Sequence, residues 1–502
     1  MRGGRLLMAQ EFKRKLDPVF YPESIAIVGA SNKFAKWGSF LMSHTIGGGY
    51  LGKIFPVNPR EEMIFERKVY KRLRDIPEPV DLVYICTPVD TVPEVIRDCL
   101  EKKVRGIVAI TSGFSETGSD GANKEREIVK LVEEAEIPMV GPNTMGIMCT
   151  QKRLYSTGAP IYPSRGNISF VSQSGNVGTQ MLEWAESHAI GMSKFIGSGN
   201  EASLGKEDYL AYLGDDDDTR VILIYVEGFE EGERFLKIAS EVSRKKPIIA
   251  LKGGRTDAGG KAAASHTGSM ASNSTVLRSA FKQVGIIEVQ TPTDLVDVSM
   301  AFSNLPLPKG DRVGIVTMGG GWGVITCDEL VEKGLRVARL GPEVIEALNT
   351  ILPPFWSHGN PVDLVGQINP EIYLRSVEEV TKSGDVDAVI CLGIVGVSYQ
   401  GLRSFAMSAK AAALDNQEYT IRKAEEKLQS IEREFLDKVN ELMSEYQKPI
   451  LNVSLAADGK RIRFQAKTGY SEVVYTTPEK AVMSLVAMYH YYQYLKRHGI
   501  VE

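Results

Sequence analysis

Among six histidines, His266 stands apart. It lies in GGRTDAGGKAAASHTGSM (253–270), a run of Gly, Ala, Ser and Thr between a strand pattern and a helical pattern. Such composition packs no core, so the segment is expected to be a mobile or ligand-covering loop. An accessible imidazole there could act as nucleophile, acid or base; taken alone, a flexible surface histidine stays open as a reading. His44, His188, His490 and His498 fall in or near helical patterns and read as structural or exposed, and His358, in WSHGNPVD, reads as a turn residue. Glu227 ends the apolar run VILIYVEG. A carboxylate at the carboxyl end of a strand can orient a nearby imidazole and favour its protonated form. The acidic stretch EGFEEGE that follows leaves a capping or surface acid equally open.

Two turns have the composition of anion cradles. GASNKFAKWG (29–38) places Gly29, Ala30 and Ser31 after a β-branched run and ahead of a helix, where free backbone N–H groups favour a phosphate. Lys36 could add a phosphate contact, although spacing alone favours a solvated surface lysine. The turn is not G-x-G-x-x-G, so a nicotinamide dinucleotide is disfavoured. SQSGN (172–176) offers the hydroxyls of Ser172 and Ser174, a close backbone approach at Gly175 and a helix dipole. An ordinary N-cap is the plainer reading of that turn. The breaks at Asn58-Pro59, Thr87-Pro88 and Thr111-Ser112-Gly113 should share the carboxyl edge of one sheet, where open α/β sheets bind ligands.

These residues need a scaffold of short parallel strands. SIAIVGAS, KIFPVNP, VDLVYICTP and VRGIVAITSG are apolar, break at Gly, Pro, Thr or Asn, and alternate with amphipathic stretches such as VPEVIRDCLEKK. That pattern means a parallel sheet covered on both faces. The first unit runs to about Met148, followed by a polar linker from Cys149 to Asn167. A second unit holds NISFVSQSGNVG, RVILIYVEG and PIIALKGGR. NLPLPKGD (304–311) is a second linker, and a third unit opens with RVGIVTMGGGWG and contains DAVICLGIVG. Gly175 and Gly178 match Gly320 and Gly323, which suggests a duplicated flavodoxin-like fold; any two strand-to-helix turns sharing glycines is an equal reading. Residues 416–446 read as one long charged helix with Ile421, Leu428, Ile431, Phe435, Val439 and Leu442 on its apolar stripe. It is expected to pack on its own domain, with a partner-binding role left open.

The chain has 502 residues, which suggests roughly three domains. Hydrophobic residues make up 43% and charged residues 24%, so global disorder is excluded. A net charge of −4 argues against nucleic-acid binding. No apolar run reaches a membrane span, and MRGGRLLMAQ is too short in its apolar part for a signal peptide. Cys86, Cys99, Cys149, Cys327 and Cys391 are scattered, with no zinc or other metal spacing, so buried thiols in a cytoplasmic protein are expected.

In order along the chain stand GAS with Lys36, VNP, CTP, TSGF, GPN (141–143), SQSG, VEG and SHTGS. Together they resemble the α subunit of the ADP-forming acetate–CoA ligases, relatives of succinyl-CoA synthetase, from about Tyr21 to Asp363 and more loosely to the C-terminus. The resemblance implies a Rossmann-like CoA-binding domain (1–150), a flavodoxin-like domain with a phosphohistidine loop (165–303) and a second flavodoxin-like ligase domain (311–502). It implies the reaction acyl-CoA + ADP + phosphate ⇌ carboxylate + CoA + ATP through an acyl phosphate and a phosphorylated histidine. His266 matches that histidine and Glu227 the glutamate that holds it. Ser172, Gln173, Ser174, Gly175 and Asn176 match the helix start that cradles phosphate. Gly29, Ala30, Ser31, Lys36, Gly38, Val57, Asn58, Pro59, Thr87, Pro88, Thr111, Ser112, Gly113 and Asn143 lie on segments matching the CoA site.

The three α/β units use up the chain without an ATP-grasp domain. The resemblance therefore implies a separate ATP-grasp β subunit carrying ADP or ATP with Mg2+, in an α2β2 heterotetramer. The turn TMGGGWG departs from the family pattern at Met318 and Trp322, and the helix at 416–446 is longer and more charged than expected. A non-catalytic CoA-binding or regulatory protein of the same fold is the alternative, against which the His266 loop argues. A nicotinamide-dependent oxidoreductase is a third reading, disfavoured by the first turn.

Overall fold

The computed structural model describes residues 16–261, 274–367, 369–412, 417–454 and 470–502. The chain forms two compact units, Met1–Leu295 and Val296–Glu502. The first unit holds two sheets and a small hairpin. Its first strands are β1 (Ser24–Val28), β2 (Lys53–Val57), the hairpin β3 (Met63–Ile64) and β4 (Arg67–Lys68), β5 (Leu82–Ile85), β6 (Gly106–Ala109) and β7 (Met139–Val140). The sheet order is β2-β1-β5-β6-β7, parallel throughout. Tyr70 adds a single parallel bridge to Val57 on the outer side of β2. Counting that remnant, the order is the 3-2-1-4-5-6 of a Rossmann sheet. Its strands are buried along nearly their whole length, as a sheet covered on both faces requires.

The second sheet contains β8 (Gly146–Cys149), β9 (Leu154–Thr157), β10 (Arg165–Ser172), β11 (Met192–Gly197), β12 (Val221–Val226), β13 (Ile248–Lys252) and β14 (Ile286–Val289), ordered β14-β13-β12-β10-β11-β8-β9. The strands from β10 to β14 are parallel and follow the flavodoxin order 2-1-3-4-5. Residues 149–167, expected as a linker, instead supply β9 and the end of β8, which extend this sheet antiparallel from β11. The polar residues that suggested a linker are satisfied by distant partners. Ser156 and Thr45 share a 2.6 Å hydroxyl contact, and Thr150 donates to the Met192 carbonyl at 2.8 Å.

The second unit carries β15 (Arg312–Thr317), β16 (Arg336–Val337), β17 (Val362–Asp363), β18 (Ala388–Leu392), β19 (Ile450–Val453) and β20 (Val474–Tyr475). The path β16-β15-β18-β19-β20 repeats the 2-1-3-4-5 order, parallel at every step, with β17 beside the end of β15. The long charged helix is present at Gln417–Tyr446. Phe435, Leu436, Val439, Leu442 and Met443 are buried in its second half, and Phe435 meets Tyr373 edge-to-face. Among the described residues no helix is long and apolar enough to cross a membrane.

Candidate functional site

The carboxyl ends of β1, β2, β5 and β6 open on a cavity of about 900 Å³. Its lining includes Gly29, Ser31, Lys36, Gly38, Val57, Asn58, Pro59, Thr87, Pro88, Thr111 and Ser112. Sterics explain two glycines here. Gly29 has φ +95°, and a β-carbon would stand 2.8 Å from the Cys86 carbonyl oxygen. A β-carbon on Gly38 would collide with the Gly29 carbonyl, so only glycine lets the helix Trp37–Gly47 start this close to the strand. Asn58 fixes the turn by donating from Nδ2 to the Ala30 carbonyl at 2.8 Å, while its Oδ1 accepts from the Arg60 N–H at 2.8 Å. Thr111 Oγ1 donates to the Thr87 carbonyl at 2.8 Å, tying neighbouring strand ends together. Lys36 is exposed at the N-cap position of its helix, with no side-chain cap bond.

Ala30 is fully buried under the turn. Gly113 and Asn143 are not brought into the cavity wall in the same way. The Gly113 N–H donates to the Glu116 carboxylate at 2.6 Å, with the Phe114 N–H joining at 3.2 Å. Partial burial opposes charge on Glu116, but hydrogen bonds from Asn200 and these backbone groups outweigh it and hold the carboxyl below its usual range. A carboxylate of the chain thus already occupies that pair of donors. Asn143, at φ 57°, donates from Nδ2 to the Asn200 side chain at 3.2 Å and so joins the edge of the first sheet to the loop after β11.

Sequence reasoning passed over several residues of the wall, among them Trp37, Arg60, Lys71, Arg72 and Cys86. Arg72 is committed to Asp98, by Nε at 3.1 Å and Nη2 at 2.8 Å, and to Glu94 at 2.7 Å. Arg60 and Lys71 are exposed cations at the rim. The signal for them was the basic spacing that follows VNP, which matters only once β3 and β4 bring the chain back past β2. Burial pushes the Cys86 thiol up to about 12, and its Sγ donates to the Val28 carbonyl at 3.1 Å.

The second candidate centre lies at the end of β10. Ser174 caps the helix Gly175–Ser187, its Oγ accepting from the Val177 N–H at 3.4 Å, and Ser172 Oγ donates to the Ser174 carbonyl at 2.7 Å. The side-chain oxygen of Gln173 accepts the N–H groups of Glu227 (2.6 Å) and Gly228 (3.2 Å), which locks the turn to the end of β12. Asn176 is exposed in the first helical turn. Two residues that sequence reasoning missed frame Glu227. Tyr225 donates to its Oε1 at 3.1 Å, and Lys252 Nζ donates to its main-chain oxygen at 2.7 Å. Burial, then the Glu227 carboxylate, pushes the Tyr225 hydroxyl above the ordinary tyrosine range. Burial pulls Lys252 below the lysine range, with Glu227 opposing.

Gly253, which leads into the Gly/Ala-rich segment, packs beside this pair: its β-carbon would lie 2.6 Å from Tyr225 Oη and 3.4 Å from Glu227 Cγ. The segment was expected to be a loop, but residues 257–261 are helical, with Thr256 Oγ1 accepting from the Gly259 N–H at 3.1 Å. His266 lies outside the described residues.

The two centres adjoin within the first unit. A β-carbon on Gly175 would collide with Met145, whose methyl lies 2.9 Å from the β-carbon site of Gly158; that site is 2.5 Å from the ring of Trp37, a residue of the cavity wall. Residues 23–150 match the family described as CoA binding domain, 165–302 the succinyl-CoA ligase like flavodoxin domain and 313–404 the ligase-CoA domain. The α subunit of acetate–CoA ligase [ADP-forming] II from Pyrococcus furiosus is 40% identical over 380 residues, covering 76% of this chain and 82% of that one. The chain belongs to the ADP-forming acetate–CoA ligase α-subunit family. The acetate–CoA ligase [ADP-forming] of Methanocaldococcus jannaschii is 41% identical over 357 residues, and this chain spans 50% of its length. In three dimensions the chain is similar to the dinucleotide forming acetyl-coenzyme A synthetase 1 of Ca. Korarchaeum cryptofilum, solved in complex with phosphate and ADP. The TM-score is 0.82 at 31% identity, over 97% of this chain and 99% of that one. Family membership makes the protein a ligase subunit.

Proposed function

We propose that this chain is the CoA-binding, phosphohistidine-carrying subunit of an ADP-forming acyl-CoA synthetase of the cytoplasm. The observation that carries the reading is the contact chain from the cavity wall through Met145 to Gly175, which sets a CoA-sized cleft against a helix start suited to phosphate. In this reading Ser31, Lys36 and the strand-end turns hold CoA, with Arg60 and Lys71 at the rim facing its phosphates. Inorganic phosphate sits at Ser172–Asn176, where helix N–H groups favour an anion.

A phosphate oxygen attacks the thioester carbon, the C–S bond breaks and CoA leaves as thiolate, taking up a proton. The acyl phosphate then meets His266. A ring nitrogen attacks phosphorus, the P–O bond to the acyl group breaks and carboxylate departs. Glu227, braced by Tyr225 and Gln173, orients the imidazole and offsets its positive charge. ADP then accepts the phosphoryl group: a P–O bond forms to its terminal phosphate and the P–N bond breaks. We place that last step on a separate ATP-grasp β subunit, in an α2β2 assembly. Mg2+ bound there with the nucleotide supplies charge neutralisation at the phosphates. Catalysis is mainly positioning and charge stabilisation.

The test has two arms on the full-length chain. Calorimetry should show CoA binding and no tight NAD binding; the reverse would end the reading. Acyl-CoA, phosphate, Mg2+ and ADP should yield ATP only with an added ATP-grasp partner, and ATP formation by the lone chain would overturn the division of labour.

A further inference from the structure

The contact chain between cavity and phosphate turn runs through one aromatic ring. Trp37 lines the cavity and is 39% exposed. Its Cη2 and Cζ3 edge stands 2.5 Å from the β-carbon site of Gly158, and Phe40 braces the ring edge-to-face at 6.5 Å between centroids. Met145 reaches the same point with its methyl and covers Gly175 with the rest of its side chain. Trp37 and Met145 therefore form the partition between the cleft and the turn. An acyl thioester held in this cleft and attacked by a phosphate at that turn would carry its acyl substituent past the exposed indole.

We infer that Trp37 limits the acyl group to a short aliphatic chain. The inference rests on the reading of the cavity as the CoA site. Gly158 is part of the device: because it has no side chain, the ring edge can withdraw into the hairpin, and a methyl there would push the ring toward the cleft. One or two extra carbons in an apolar site change discrimination by roughly 10-fold or more.

The experiment measures binding of free CoA, acetyl-CoA, isobutyryl-CoA and phenylacetyl-CoA to the full-length chain by calorimetry. The readout is each acyl-CoA Kd divided by the CoA Kd of the same variant. The native chain should favour acetyl-CoA over phenylacetyl-CoA by about 10-fold or more. Trp37→Ala should bring the two within about threefold, Trp37→Leu should fall between, and Gly158→Ala should widen the gap. An unchanged ratio in Trp37→Leu and Trp37→Ala, with CoA still bound, would overturn the inference while leaving the CoA reading intact. Failure of the native chain to bind free CoA would overturn that reading, and the inference with it. Because Trp37→Leu keeps an apolar side chain against Phe40, it supplies the comparison if Trp37→Ala fails to fold.

Discussion

β10 and β15 each open a parallel sheet of order 2-1-3-4-5, and each ends in a hydroxyl residue whose side chain donates to a carbonyl two residues on: Ser172 to Ser174 at 2.7 Å, Thr317 to Gly319 at 2.8 Å. Helices then begin at Gly175 and at Gly320, and in each a glycine three residues later packs onto the sheet or its connecting loop: Gly178 against Phe195, Gly323 against Pro361. The frames are copies, but the helix starts are not. Ser174 caps its helix by side chain, and the main-chain N–H of Glu227 nearby is tied to Gln173. Gly319 offers no cap bond, Trp322 is 40% exposed, and a β-carbon on Gly320 would lie 2.9 Å from an Asp363 oxygen. A carboxylate beside a helix N-terminus uses the field that a phosphate would need. One backbone solution thus serves both units, and short side chains set what surrounds each helix start.

The copies also differ in how charge is buried. Lys194 on β11 is fully buried and donates to Asp216 and to Tyr21, both at 2.7 Å. In the second copy Arg312 meets Asp387 at 2.9 Å with the arginine 39% exposed. Lys194→Met should therefore be the most damaging change, costing about 3–5 kcal/mol because Asp216 is left buried and uncompensated. Arg312→Met should cost about 1 kcal/mol or less. Scanning calorimetry checks this, with the first unit's transition moving in one case and the second's barely in the other. Equal losses would erase the contrast.

At the turns, Ser174→Asp gives the first helix start the carboxylate that the second has. Phosphate-dependent release of CoA from acyl-CoA should fall about 100-fold, the scale of a lost anion site. Asp363→Asn should change it by roughly twofold or less. The glycines give a smaller pair. Gly178→Ala places a methyl 2.6 Å from the Phe195 ring and should cost about 1–3 kcal/mol. Gly323→Ala meets Pro361 at 3.1 Å, and the alanine's helical preference of about 1 kcal/mol should offset the crowding, leaving the melting temperature nearly unchanged. The smallest effect belongs to Cys86. With its thiol pushed up to about 12, iodoacetamide at pH 8 should leave it unmodified in the folded chain and label it after denaturation.

The apolar strands and their breaks made most of the fold legible, because a strand buried on both faces leaves a contiguous apolar run. The hairpin of β8 and β9 was not legible: Thr150 and Ser156 look like linker residues until Met192 and Thr45 supply their hydrogen bonds. The cavity's glycines and Asn-Pro and Thr-Pro turns were readable because each marks a strand end. Trp37, Tyr225 and Met145 were not, since their meaning lies in contacts with residues far along the chain. Glu116 was not legible either: the Gly113 N–H donates to its carboxylate three residues on, a contact that nothing in the TSGF run announces.

The proposed function has this chain carry the phosphoryl group on His266. The direct measurement incubates the chain and its ATP-grasp partner with acyl-CoA and radioactive phosphate, without ADP, and follows label on the protein. The account predicts an acid-labile, base-stable adduct in the native chain, weaker labelling in Glu227→Gln with CoA binding retained, and none in His266→Asn. Full labelling of His266→Asn would contradict it.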